Sequence, residues 1–254
     1  MALAILGALI VGLCLGLLGS GGSILTLPIL TFLLGMPDKV AIASSLAIVG
    51  AISLFAAIPF ARAGQVDTRS LLFFGVPSMI GSYLGAYISQ FVSGPVQLAI
   101  FAGLMLIAAV LMLKPIALHE GGNPKIRPKY KIAVDGLLVG IITGLVGVGG
   151  GFMIVPALVL LVHLPMRRAV GTSLSIIALK SLTGFIKHAQ ILNELDLVLD
   201  WTVIAVFSVV GVLGSQVGRI LGSKVNQASL KRGFGFFLIA MGIFIVYRTL
   251  PDLL

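Results

Sequence analysis

Seven residues that free or restrict the backbone recur at one fixed spacing. Gly12, Gly16, Gly19, Gly21, Gly22, Pro28 and Pro37 return as Gly140, Gly144, Gly147, Gly149, Gly150, Pro156 and Pro165, each 128 residues later. At the same spacing Ala41, Ser45 and Leu46 match Ala169, Ser173 and Leu174, and Ser44 meets Thr172. Further on, GSYLGA from Gly81 resembles GSQVGR from Gly214, with the spacing grown to 133. Matches among leucines would carry little weight in an apolar chain, but glycine and proline dictate where a backbone can bend. The chain is therefore expected to be one domain, 1–254, made of two copies of a unit. Copy 1 covers about 1–113 and copy 2 about 132–254, joined by the basic linker 114–131, KPIALHEGGNPKIRPKYK.

The medium in which the copies fold follows from composition. The 254 residues are 59% hydrophobic and 10% charged, against roughly 25% charged in an ordinary soluble domain. Apolar runs recur from end to end, which makes the chain an integral membrane protein. A cleaved signal peptide needs a basic n-region, and MALAILGALIVGLCLGLLGSGG has no basic residue; it reads as mature membrane structure. Cys14 is the only cysteine, so an intrachain disulfide is impossible and a zinc site has no thiolate set. The net charge of +9 reads as a topology signal, because Lys and Arg collect in cytoplasmic loops, and not as a footprint for nucleic acid.

A helix needs about 20 residues to cross a hydrocarbon core about 30 Å thick. Segments 41–61, 70–91, 95–113, 169–187, 201–221 and 231–249 qualify. The opening element of each copy does not: in copy 1, residues 2–18 would reach about 25 Å and 24–35 only about 18 Å at 1.5 Å per residue. It either crosses once as a broken helix or turns back as a hairpin. With a hairpin, Arg62, Arg69, Lys114, Lys125, Arg127, Lys129, Lys131, Arg167, Arg168, Arg219, Lys224, Lys231 and Arg232 share one side. Lys39, Lys187 and Arg248 lie on the other and Lys180 within the membrane. A single crossing would divide the charges nearly evenly, so the charge bias selects the hairpin. The expected fold is an all-α polytopic membrane protein of two inverted repeats, each a broken or re-entrant hairpin plus three transmembrane helices. Both termini are expected outside, with the linker cytoplasmic.

Backbone that leaves helical geometry at membrane depth is tolerated only inside protein or beside a watery cavity. Inversion would bring the breaks at Gly19 to Ser23 and Gly147 to Gly151 together near the midplane. Each is followed by a short helix whose first turn offers unpaired NH groups and a positive dipole end, which suits an anion. The expected substrate-binding set is Gly19, Ser20, Gly21, Gly22, Ser23, Gly147, Gly149, Gly150 and Gly151, joined by Ser44, Ser45, Thr172 and Ser173 as hydroxyl donors. Lys180 is added because an ionisable group in a membrane segment costs at least about 2.5 kcal/mol unpaired.

Competing readings apply to each feature. Gly12/Gly16, Gly81/Gly85, Gly140/Gly144 and Gly214/Gly218 have GxxxG spacing and are assigned to close helix packing. Lys180 could instead snorkel or bond carbonyls, and Ile52 replaces it in copy 1. Lys187 and His188, near a helix end, read as solvated, as does His119 in the linker. GSGGSILT and GVGGGFMI lack the Lys and hydroxyl pair of a nucleotide loop. No catalytic constellation, cofactor or metal site emerges; the chain reads as a non-enzyme.

The paired motifs GLLGSGGSILTLPIL and GLVGVGGGFMIVPALVL, followed by MPDKVAIASSLAI and LPMRRAVGTSLSI, closely resemble the TauE/SafE sulfite exporter family, over the whole chain. The resemblance implies a transporter of small sulfur-containing anions such as sulfite, thiosulfate, sulfoacetate or other organosulfonates. Ser20 and Ser23 interrupt what is often a more continuous glycine run in that family. Combined with the midplane reading, the expected function is alternating-access export, with protons a candidate coupling ion and lipid the surrounding partner. A passive anion channel, or an uptake permease for a related anion, is the alternative, and the oligomeric state is left open.

Overall fold

The computed structural model describes residues 2–19, 21–113, 128–147 and 151–249. These form ten helices, with no strand among the described residues. Copy 1 contains α1 (Ala2–Leu18), α2 (Gly21–Pro28, continuing into a π-helical turn, Ile29–Leu33), α3 (Asp38–Arg62), α4 (Thr68–Ser89) and α5 (Gly94–Leu113). Copy 2 repeats the order as α6 (Lys129–Val146), α7 (Gly151–Leu160), α8 (Met166–Glu194), α9 (Trp201–Lys224) and α10 (Gln227–Thr249). Six helices are long and apolar enough to cross a membrane: α3, α4, α5, α8, α9 and the stretch Arg232–Thr249 of α10.

Matched residues start matched helices. Pro37 and Pro165 are the N-caps of α3 and α8, with ψ of 139° and 143°; proline's fixed φ suits a helix entrance, where NH groups lack partners anyway. Asp67 caps α4 through the Ser70 amide at 2.7 Å, and Asp200 caps α9 through the Thr202 and Val203 amides at 2.9 and 3.1 Å. A carboxylate there accepts from NH groups that have no partner in the helix.

Packing ties each copy to the other. The most extensive contacts are α1 with α9, α4 with α6, α3 with α8 and α5 with α10, and that set is unchanged when the copies are exchanged. Two of the pairs are glycine zippers. An added Cβ at Gly12 or Gly16 of α1 would strike the backbone of Gly211 or Ser215 in α9, and one at Gly140 or Gly144 of α6 would strike Ser78 or Ser82 in α4. Gly81, Gly85, Gly214 and Gly218 fill the reciprocal positions. All eight GxxxG glycines thus work as packing residues, which let helix backbones approach where no hydrophobic effect drives association.

At the centre α3 and α8 run antiparallel, with Leu46 beside Gly184, Gly50 beside Ser181 and Phe60 beside Gly171. One end of the bundle collects the basic residues. There Arg167 of α8 donates to the Ser223 carbonyl of α9, the Asp67 amide donates to Thr172 Oγ1 at 2.9 Å, and Lys129 lies over the Phe73 ring. In copy 1, α2 folds back along α1, placing Gly22 against Val11 and Leu15 and Ile29 against Gly7. Large apolar side chains such as Leu54, Ile80, Ile107, Leu182, Val209, Leu213 and Phe236 are exposed around the bundle. A continuous apolar exterior of this kind is matched to lipid: the chain is a multi-pass membrane protein.

Candidate functional site

The breaks begin as helix stops. Gly19 and Gly147 adopt φ of +73° and +68°, a left-handed conformation nearly confined to glycine, which ends a helix by turning its last amides back onto earlier carbonyls. Gly19 N donates to Leu15 O at 2.8 Å, and Gly147 N to Thr143 O at 3.0 Å and Gly144 O at 3.2 Å. The carbonyls at the turns are held by the opposite copy. Ser173 Oγ donates to Gly19 O at 3.1 Å, shared with Val170 O at 2.9 Å. Ser45 Oγ donates to Gly147 O at 3.0 Å, shared with Ile42 O at 2.9 Å. The matched serines therefore fasten the matched breaks, each across the copy boundary.

The two helix stops, Gly19 and Gly147, stand at different levels of the α3–α8 pair. Gly19 lies against Val170 and Ser173 in the first turns of α8, while Gly147 lies against Ile42 and His188. From Ser173 to His188 along α8 is 15 residues, about 22 Å at 1.5 Å per residue. The central level holds Gly50 against Ser181 and, one residue before Ser181, Lys180.

The other expected site residues fall into distinct settings. Gly22 and Ser23 are buried in the first turn of α2, where Gly22 O accepts from Thr26 Oγ1 at 2.7 Å. Gly21 and Gly151 are the first residues of α2 and α7. Ser20, Gly149 and Gly150 lie outside the described residues. Ser44 is fully buried, and its hydroxyl has no partner among the described residues. Thr172, its counterpart, accepts from the Asp67 amide and so ties the loop after α3 to α8. Lys180 is fully buried and its Nζ donates to Thr143 Oγ1 of α6; among the described residues it bonds no carbonyl.

Lys187 and His188 correct the sequence reading. Both are buried, because α8 runs on to Glu194 and carries them inside the bundle. Lys187 Nζ sits over the Tyr87 ring at 5.2 Å, and His188 Nε2 is 3.1 Å from Gly144 O. They belong to a polar closure around the second break. Lys39 adds to it, donating to Ser89 O and Val92 O at 2.6 and 2.7 Å, as does Gln97, donating to Leu145 O at 2.7 Å.

The basic end is built differently. A cavity of about 150 Å³ opens there between α1, α3, α8 and α9, lined by Gly16, Leu17, Pro59, Phe60, Ala63, Gln65, Arg167, Val170, Arg219, Gly222 and Ser223. It reaches Val170, the neighbour of Gly19. Sequence reasoning filed Arg167 and Arg219 as loop charges. The signal that marks Arg167 is its match at the 128 spacing with Lys39.

An all-helical, lipid-matched bundle with paired helix breaks and polar closures is the build of a membrane transporter. Comparison with known proteins names the class: the Sulfite exporter TauE/SafE family matches residues 4–245, and the chain belongs to it. A probable membrane transporter protein of Xylella fastidiosa (strain 9a5c) is 34% identical over 250 residues, covering 96% of this chain and 94% of that one. YunE of Bacillus subtilis (strain 168), also named a probable membrane transporter protein, is 30% identical over 273 residues, covering 97% of each. No solved structure matches the chain. The protein is a transporter of the sulfite exporter type, embedded in lipid and acting on a small substrate; it is not an enzyme.

Proposed function

We propose that the chain is a secondary transporter that exports a small sulfur-containing anion, sulfite, thiosulfate or an organosulfonate, by alternating access between two inverted copies. The observation that carries this reading is the reciprocal pair of breaks, one toward each end of the antiparallel α3–α8 pair, each fastened by the other copy's serine. A movement that loosens one fastening need not loosen the other, which is the physical requirement for opening one side at a time. The positive-inside rule places the basic end and the 114–131 linker in the cytoplasm and both termini outside.

In this reading the anion passes two stations. At each, the first-turn amides of a short helix supply hydrogen bonds without a full charge: Gly21, Gly22 and Ser23 in α2 and Gly151 in α7, with Ser20, Gly149 and Gly150, which lie outside the described residues, as the proposed remainder of the set. Ser44 offers a hydroxyl near the outer station. Ser45, Ser173 and Thr172 hold the frame, and Lys180 supplies the positive charge between the stations. Protons are the proposed coupling ion, with Lys180 the titrating group.

The test is flux of sulfite, thiosulfate and sulfoacetate into proteoliposomes, with sulfate and chloride as comparison anions. Saturable uptake with counterflow is expected; linear, non-exchanging flux would make the protein a passive channel. Lys180→Met should lower the apparent affinity and flatten the response to an imposed pH gradient. An unchanged response would return the lysine to a packing role.

A further inference from the structure

The basic-end cavity has features that topology alone does not require. A loop arginine that only biases insertion can leave all its donors in water. Arg219 does not: its Nε is buried beside the cavity and has no hydrogen-bond partner among the described residues. A guanidinium donor kept from water without a partner costs on the order of 1–3 kcal/mol, more for charged groups, so such a group marks a place where something else completes it. Across the cavity Arg167 donates from Nη2 to Ser223 O, which fixes its planar fork at the rim. Among the described residues no acidic side chain lines the space, so none of them neutralises either charge within it.

The remaining wall sets the shape of the occupant. Leu17, Phe60 and Val170 are apolar, Gln65 is polar, and the volume of about 150 Å³ is several times the roughly 30 Å³ of one water. A bare spherical anion would satisfy the arginines and leave the apolar wall idle. We propose that Arg167 and Arg219 form a second anion site that captures a small oxyanion carrying a short organic chain, a sulfonate such as sulfoacetate, at the basic end. The guanidinium groups take the oxyanion, since planar forks pair with such groups in bidentate fashion. The carbon chain lies on Phe60 and Leu17. From there the anion faces the turn at Gly19 where α2 begins. The site deepens the transport reading by naming its loading step, and it rests on that reading for its cargo.

The same oxyanion chemistry is presented by lipid headgroups, so the experiment uses full-length protein in two membranes: phosphatidylcholine alone, and phosphatidylcholine with phosphatidylglycerol. Half-saturation by radiolabelled sulfoacetate is measured from each face separately. Arg219→Gln should raise the half-saturation concentration from the basic face at least tenfold in both membranes and leave the opposite face unchanged. Arg219→Lys, which keeps the charge and loses the fork, should fall between, and it guards against simple misfolding. Equal values for wild type and Arg219→Gln from the basic face would overturn the site. So would a wild-type value that rises steeply with phosphatidylglycerol only while Arg219 is present, since the occupant would then be lipid. Equilibrium binding to detergent-purified protein separates the two readings. Binding that is lost in Arg219→Gln alongside absent counterflow would sink the transport reading and keep the site.

Discussion

The two ends of the α3–α8 pair are built from matched residues and finished differently. At one end Ser173 fastens Gly19 while Arg167 and Val170 line a cavity; at the other Ser45 fastens Gly147 while Lys39 ties to the Ser89 and Val92 carbonyls. Phe60 of the first end corresponds to His188 of the second, and the exchange matters. Phe60 lines the cavity wall, whereas His188 is buried and its Nε2 lies 3.1 Å from the Gly144 carbonyl. The frame is therefore common to both copies and the gate chemistry is not. On the proposed alternating-access reading, the shared frame would move symmetrically and the unshared side chains would set which end rests open.

The comparison breaks most severely if the frame is touched. Gly16→Leu and Gly144→Leu each drive a side chain into an opposing helix backbone, and overpacking of this kind costs typically 1–3 kcal/mol and at times more. Both should abolish monodisperse protein after detergent extraction, and to a similar degree; a folded Gly144→Leu variant would show that the zippers are not equivalent. Next in size is the turn conformation. Gly19→Ala and Gly147→Ala each force a Cβ into positive φ, about 1–2 kcal/mol. Each Cβ also meets a neighbour, Val170 for Gly19 and Ile42 for Gly147, and the closer clash, at Ile42, should make the second lose more thermal stability. Trimming Ile42 to alanine in the same chain should return part of the loss.

The gates are tested by access. In a Cys14→Ser background, Val170→Cys should react with an impermeant thiol reagent from the basic face, while Ile42→Cys should be protected from the other. Adding Lys39→Met removes the two carbonyl contacts at the end of α4 and should raise labelling of Ile42→Cys several-fold; no increase would show that Lys39 does not hold that end shut. The smallest effect belongs to the fastening serines. Ser45→Ala and Ser173→Ala should each cost about 1 kcal/mol, the usual worth of one hydrogen bond, seen as small and equal shifts in unfolding temperature.

Much of the frame was legible in the sequence because glycine and proline act through the backbone they belong to. The 128-residue spacing located both helix stops, both proline caps and four of the zipper glycines, and the 133 spacing located the other four. A further cap pair, Asp67 and Asp200, lies at the 133 spacing already visible in GSYLGA and GSQVGR. What stayed hidden depends on depth and on partners far along the chain. Spacing says that two breaks are related, but not how far each stands from the axis relating them. Lys187 and His188 looked solvated because the apolar pattern fades before α8 ends. The buried Arg219 Nε could not be read from a residue that composition had already explained as a topology charge.

The zippers also set the order in which the chain can be made. α1 leaves the ribosome well before α9, yet the surface its glycines fit is α9, whose residues begin at Trp201. For most of synthesis its bare backbone stripe must wait in the bilayer, sheltered by lipid, by the insertion machinery or by the returning α2. Neither copy can finish before the other, since α6 needs α4 just as α1 needs α9. Truncation after copy 1 should thus yield a short-lived inserted fragment, one for quality-control proteases, and not half a transporter.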